Sequence, residues 1–133
     1  MRETGAQREP VTDEEKAGAA LRAFFRIAEL WKLDANQQMT LLGVPRSTYF
    51  HWKRKGARSL SMDTLERISY ILGIFRALEI LLPKHEAANA WVRKPNAAAP
   101  FGGQSALERM LSGRVADLYV VHQYLDAQRG GWS

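Results

Sequence analysis

The 133-residue sequence contains no cysteine, which excludes disulfides and thiolate metal ligands and fits a reducing compartment. It also lacks a long apolar run free of charge. The greasiest stretch, Leu65 to Leu82, is interrupted by Arg67, Arg76 and Glu79, which argues against a membrane span. The first residues, MRETGAQREPVTDEE, have no apolar centre of the kind a secretory signal needs. No segment sustains strand alternation, and no Asn-Gly or Asp-Gly pair marks a hairpin. There is no His-Glu-x-x-His spacing, no carboxylate cluster and no Gly-rich phosphate loop, so neither an enzyme nor a metal or cofactor is expected. Ser112 and His122 could be imagined as a nucleophile and base, but nothing in the sequence orients them. These absences leave a soluble, cytoplasmic, all-α protein.

The most telling absence is local. From Ala35 to Met62 there is no acidic residue, while five basic ones are present: Arg46, Lys53, Arg54, Lys55 and Arg58. The whole chain has 19 Lys+Arg and 14 Asp+Glu, so removing these five leaves 14 against 14. The entire excess of +5 therefore sits in one window, and a basic surface so concentrated points to nucleic acid.

That window has the spacing of a helix-turn-helix. Asp34 with Gln37 starts a helix, and Gly43 ends it in a tight turn that needs a left-handed backbone. Pro45 suits the first turn of a second helix, which should run to about Lys55 and stop at Gly56. Val44, Tyr49 and Trp52 fall on the inward side, together with the lock from Leu41 and Leu42. The outward side carries Arg46, Ser47, Phe50, His51 and Arg54. Arg46 is suited to guanine, Ser47 and His51 to several base edges, and Phe50 to a thymine methyl. Lys53, Lys55 and Arg58 are placed to meet phosphates, and Gln37 to join its helix N-terminus on another. One departure is Met39, where such motifs usually carry Ala for close helix approach.

Around this motif the periodicity predicts further helices. Residues 1 to 11 read as a mobile tail, and Thr12 to Glu15 as a capping box. The helix that follows should bury Ala17, Ala20, Leu21, Phe24, Ile27, Ala28 and Trp31. Ser61 should cap a run from Met62 to Leu82, with a kink or break at Gly73, and Pro83 should open a helix through Val92. Lys94 to Gly103 reads as an ordered loop with Phe101 tucked inward. Ser105 with Glu108 caps a short helix to about Leu111. The last helix, Arg114 to Ala127, should bury Val115, Leu118, Tyr119, His122 or Val121, and Leu125. Gly130-Gly131 should end it, leaving Trp132 on a short tail. Trp31, Trp52 and Trp91 read as core residues.

Two parts of the chain are distinctive: LLGVPRSTYFHWKRKG with LSMDTLERISYILGIFRALEIL, and AWVRKPNAAAPFGGQSALERMLSGRVADLYVVHQYL. Together they resemble the Xre/ParS-type antitoxins. The more specific element is Trp91, Pro95-Asn96, Gly102-Gly103 and Leu107-Glu108 in that order. The resemblance implies a compact helix-turn-helix region (residues 12–82) followed by a small C-terminal helical toxin-binding region (residues 83–133). It further implies a toxin partner of the NAD-consuming RES type, operator DNA, autorepression and a homodimer. The toxin-facing role would fall on Gln128, Arg129, Gly130, Gly131 and Trp132. The alternative is a stand-alone helix-turn-helix transcriptional regulator.

Overall fold

A computed structural model describes residues 13–131 of the chain. It places seven helices in the order α1 (Asp13–Leu30), α2 (Ala35–Leu42), α3 (Arg46–Lys55), α4 (Met62–Leu81), α5 (His85–Trp91), α6 (Ala106–Met110) and α7 (Val115–Gly131). There is no strand among the described residues, only an isolated bridge between Pro95 and Ser105. The fold is all-α, as the sequence implies. The capping box expected at Thr12 lies outside the described residues.

Helix α1 buries the stripe expected of it: Ala17, Leu21, Phe24, Ile27 and Ala28, with Trp31 just beyond its end and Ala20 half-buried. Helix α4 is the spine. Ile68, Ile71, Ile74, Ala77 and Leu78 are almost wholly buried, because α4 packs along α7 and also meets α1, α2 and α5. From α7, Leu118, Val121 and Leu125 complete the same continuous core. Each of these Ile, Leu and Val side chains, fully buried, contributes about 1.5–3 kcal/mol relative to exposure.

Several local expectations are corrected by these long-range contacts. Gly73 neither kinks nor breaks α4, which runs through it unbroken. The glycine is there for proximity: a Cβ at that position would lie 2.5 Å from His122 Nε2 on α7. Tyr119 is 45% exposed rather than buried, because Val121 takes the inward place and His122 remains at the edge. Pro45 precedes α3 as its N-cap, with φ −75° and ψ 166°, instead of entering the first turn. Helix α5 starts at His85 rather than at Pro83. Finally, α7 continues through Gly131, so Gly130 does not end it.

Candidate DNA interface and partner-binding half

The helix-turn-helix is built by local chemistry at its ends and by buried polar contacts within. Asp34 and Gln37 form a reciprocal cap: Gln37 N–H donates to Asp34 Oδ1 at 2.8 Å, and Asp34 N–H to Gln37 Oε1 at 2.9 Å. Gly43 adopts φ +71°, and its N–H reaches the Met39 and Thr40 carbonyls at 2.9 and 3.2 Å, satisfying groups the helix end would leave unpaired. Gln38, which no pattern in the sequence marks, is buried and bridges the motif. Its Nε2 donates to the Leu33 carbonyl at 3.0 Å while its Oε1 accepts the Tyr49 hydroxyl at 2.8 Å. Burial raises the Tyr49 pKa, which keeps the phenol a neutral donor and holds α3 against α2. Met39 is half-buried and packed on the core.

Helix α3 then has one inward side, where Tyr49 is buried and Trp52 half-buried. At about 100° per residue, the opposite side carries Ser47, His51 and Arg54, all exposed. These three form the centre of the presented face. Arg46, Phe50 and Lys53 occupy the flank toward α1. Phe50 is half-buried, in edge contact with Tyr49 at 4.9 Å, and Arg46 lies over its ring at 4.8 Å. Lys53 Nζ sits 4.5 Å from the Phe25 ring centroid on α1. The flank is thus an alternation of cations and aromatic rings that fixes side chains at modest entropic cost.

None of Arg46, Lys53, Arg54, Lys55 and Arg58 is ion-paired among the described residues. All five are exposed. Lys55 differs in one respect: it shares a surface depression with Glu14, Glu15 and Arg22 of α1. The window that is free of acid along the sequence therefore meets acid in space at that end. Gln37 stands at the start of α2, but its side-chain oxygen is already engaged in the cap.

The C-terminal half is held differently. Trp91, Phe101 and Tyr124 form one aromatic cluster: Trp91 stacks on Tyr124 at 6.4 Å, and Phe101 meets Tyr124 edge-on at 5.1 Å. The loop between α5 and α6 is pinned by Asn96 and Gly103, whose backbones bond to Gln104 and Asn96. Gly102 and Gly103 take φ +56° and +95°, values only glycine adopts easily. Ser105 and Glu108 form the expected capping box. Asp117, 6% exposed, accepts from the Ser112 hydroxyl, from Arg109 Nε at 3.0 Å and from Arg114 Nε at 3.3 Å. The Ser112 hydrogen bond, helped by the two guanidinium groups, lowers its pKa against the opposing effect of burial. Arg109 also donates to the Pro100 carbonyl. Ser112 is therefore committed to Asp117, whereas His122 Nε2 lies 3.6 Å from Asp126 Oδ2, so the two do not form a catalytic pair. No group of His, Cys, Asp and Glu among the described residues could hold a metal ion.

Of the residues expected to face a partner, Gln128, Arg129, Gly130 and Gly131 lie on the last turns of α7 rather than on a tail. Gln128 is half-buried; Arg129 is exposed and lies 3.6 Å from Asp126. Trp132 falls outside the described residues.

Two arginines join the halves. Arg67 Nε contacts Asp63 Oδ2 at 2.8 Å while its NH1 donates to the Gly113 carbonyl at 2.9 Å, 46 residues away. Its side chain passes so close to the turn that a Cβ on Gly43 would lie 2.7 Å from Nε. Arg93 donates to the Trp31 and Lys32 carbonyls at 3.1 and 2.6 Å, capping the end of α1, where Lys32 has φ +58°.

Comparison with known proteins fits both halves. Residues 10–73 match the antitoxin Xre-like helix-turn-helix domain. Residues 77–131 match the antitoxin Xre/MbcA/ParS C-terminal toxin-binding domain. The chain is similar to the uncharacterized protein y4oB of Sinorhizobium fredii, with 54% identity over 123 residues, covering 92% of this chain and 93% of that protein. No helix among the described residues is long and apolar enough to cross a membrane.

Proposed function

The chain belongs to the Xre/MbcA/ParS antitoxin family, and on that premise we propose that it occludes a RES-type, NAD-consuming toxin and represses its own operon through operator DNA. Its place as the antitoxin of a toxin–antitoxin pair follows from the family. The toxin class and the autorepression are the reading advanced here, with the RES assignment resting on the resemblance of the C-terminal motif.

The observation that carries the DNA part is the exposed face of Ser47, His51 and Arg54, edged by exposed cations. In a helix-turn-helix the second helix offers such residues to base edges in the major groove, while the flanking cations grip phosphates and set register. Removing phosphate partners releases fewer counterions, so the salt dependence of binding reports directly on Lys53, Arg54, Lys55 and Arg58. Gln37 at the start of α2 is placed for one more phosphate through its remaining amide hydrogens. A homodimer would set two α3 helices about 34 Å apart, one turn of the duplex.

For the toxin, Gln128, Arg129, Gly130, Gly131 and Trp132 are proposed to approach the toxin's entrance. Co-expression of the chain with the product of the adjacent gene tests the whole reading. The expected result is a toxic neighbour that is neutralised, co-purifies with this chain and consumes NAD when alone. A harmless neighbour that never co-purifies would instead favour a stand-alone regulator.

A further inference from the structure

Beyond the end of α7, the surface holds a cleft of about 540 Å³ between the end of α1 and the outer side of α5. Its apolar wall is Leu30, Ala90 and Pro95. Three cations border it, Lys32, Arg93 and Lys94, against one carboxylate, Glu86. None of these three is ion-paired among the described residues, and all three are exposed. Arg93 is held in place by the carbonyls of Trp31 and Lys32, so its charge is positioned without being neutralised.

Trp31 and Asn89, which are among the residues lining the cleft, each hold a polar atom without a hydrogen-bond partner among the described residues, Nε1 and Oδ1, and both atoms are sealed from solvent. Trp31 is only 1% exposed. Six of the nine residues lining the cleft, from Glu86 to Pro95, lie in the part matched to the toxin-binding domain.

We propose that this cleft is a docking site for the toxin, taking a segment with an apolar side chain flanked by carboxylates. The apolar side chain fills the space beside Leu30, Ala90 and Pro95. The carboxylates meet Lys32, Arg93 and Lys94. The proposal rests on the antitoxin reading and adds a second contact to it, separate from the end of α7. Because the cleft is formed jointly by α1 and α5, toxin bound there would touch both halves of the chain.

The test uses the full chain with its co-expressed toxin. Lys32→Glu with Lys94→Glu reverses two exposed charges that make no described contact; Ala90→Trp fills the cleft from an exposed helix position. Binding is measured by titration calorimetry at low and high salt, with thermal unfolding and operator binding as checks on the fold. The expected result is at least a tenfold loss of toxin affinity for each variant, with native operator binding. The charge variant should also show a weaker salt dependence than the native chain. Native toxin affinity in both folded variants would overturn the proposal. A changed oligomeric state with unchanged toxin affinity would overturn it too, assigning the cleft to a second copy. If the native chain binds no toxin, the antitoxin reading itself fails, an outcome distinct from failure of the cleft. Should Ala90→Trp not fold, the charge pair alone decides.

Discussion

The segment from Arg46 to Arg58 and the α4–α7 body of this protein use arginine in opposite ways. In the helix-turn-helix, Arg46, Arg54 and Arg58 are displayed on the surface without a carboxylate partner among the described residues. In the α4–α7 body, Arg67 and Arg109 are spent on the Gly113 and Pro100 carbonyls and on Asp63 and Asp117. The difference is physical. A guanidinium facing water keeps its field available to a polyanion, whereas one donating to buried acceptors gives up reach for rigidity. The segment from Arg46 to Arg58 presents its charge, whereas Arg67 and Arg109 consume theirs.

The largest effect expected from breaking this contrast is at Asp117. Asp117→Ala should destabilise the fold by about 3 kcal/mol, since it removes the charged acceptor shared by Ser112, Arg109 and Arg114. Chemical denaturation measures the loss. The carboxyl has a lowered pKa, so its stabilisation is complete above the unfolded value of about 3.9 and disappears as pH falls through the lower folded value. The gap between native protein and Asp117→Asn should therefore be full at pH 7 and shrink below about pH 4. A gap that widens on acidification would contradict the assigned sign.

Next comes the turn. Gly43→Ala places a side chain on a backbone at φ +71° and pushes Arg67 away from its seat. The left-handed conformation alone costs about 1–2 kcal/mol, and displacement of Arg67 adds to it. Thermal unfolding should show a clear drop in midpoint, smaller than that from Asp117→Ala. Because Arg67 also bonds to Gly113, the loss should be felt by both halves in a single unfolding transition; two separate transitions would show that they are not joined.

The smallest effect sharpens the presented face. Arg46→Ala should leave stability within about 0.5 kcal/mol, as for an exposed residue, apart from losing its stacking on Phe50. It should relax base preference by about 1–3 kcal/mol at one position if the side chain reads guanine. Binding to a library of operator variants checks this. An unchanged preference would assign Arg46 to its aromatic flank alone.

How far these features were legible in the sequence follows from the range of the forces. The Asp34–Gln37 and Ser105–Glu108 caps, the Gly43 turn and the Gly56 stop involve residues three or four apart, and their chemistry is written in adjacent letters. The buried stripe of α1 is equally local. Gly73 was misleading because its reason lies 49 positions later, at His122. Gln38 looked like one more polar residue on a short helix until Tyr49 and Leu33 were brought to it. Arg67 and Arg93 reach across 46 and 62 residues, which no spacing rule registers. At the site, the exposed Ser47, His51 and Arg54 follow from helix periodicity. The pinning of Lys53 on Phe25 depends on where α1 lies, and so does the acidic company of Lys55.

The central claim is that the DNA-gripping cations of α3 are separable from the surfaces that bind the partner. It is tested most directly by one variant, Lys53→Ala with Arg54→Ala and Lys55→Ala, carried through operator binding over a salt series and toxin neutralisation side by side. The account predicts that operator affinity falls at least about 100-fold at low salt and that the slope of log affinity against log salt drops by about 2 to 3. The reduction should sit toward the lower end because Lys55 already faces Glu14 and Glu15. Neutralisation should remain complete. Native operator binding by this variant, or loss of neutralisation together with DNA binding in a folded chain, would contradict it.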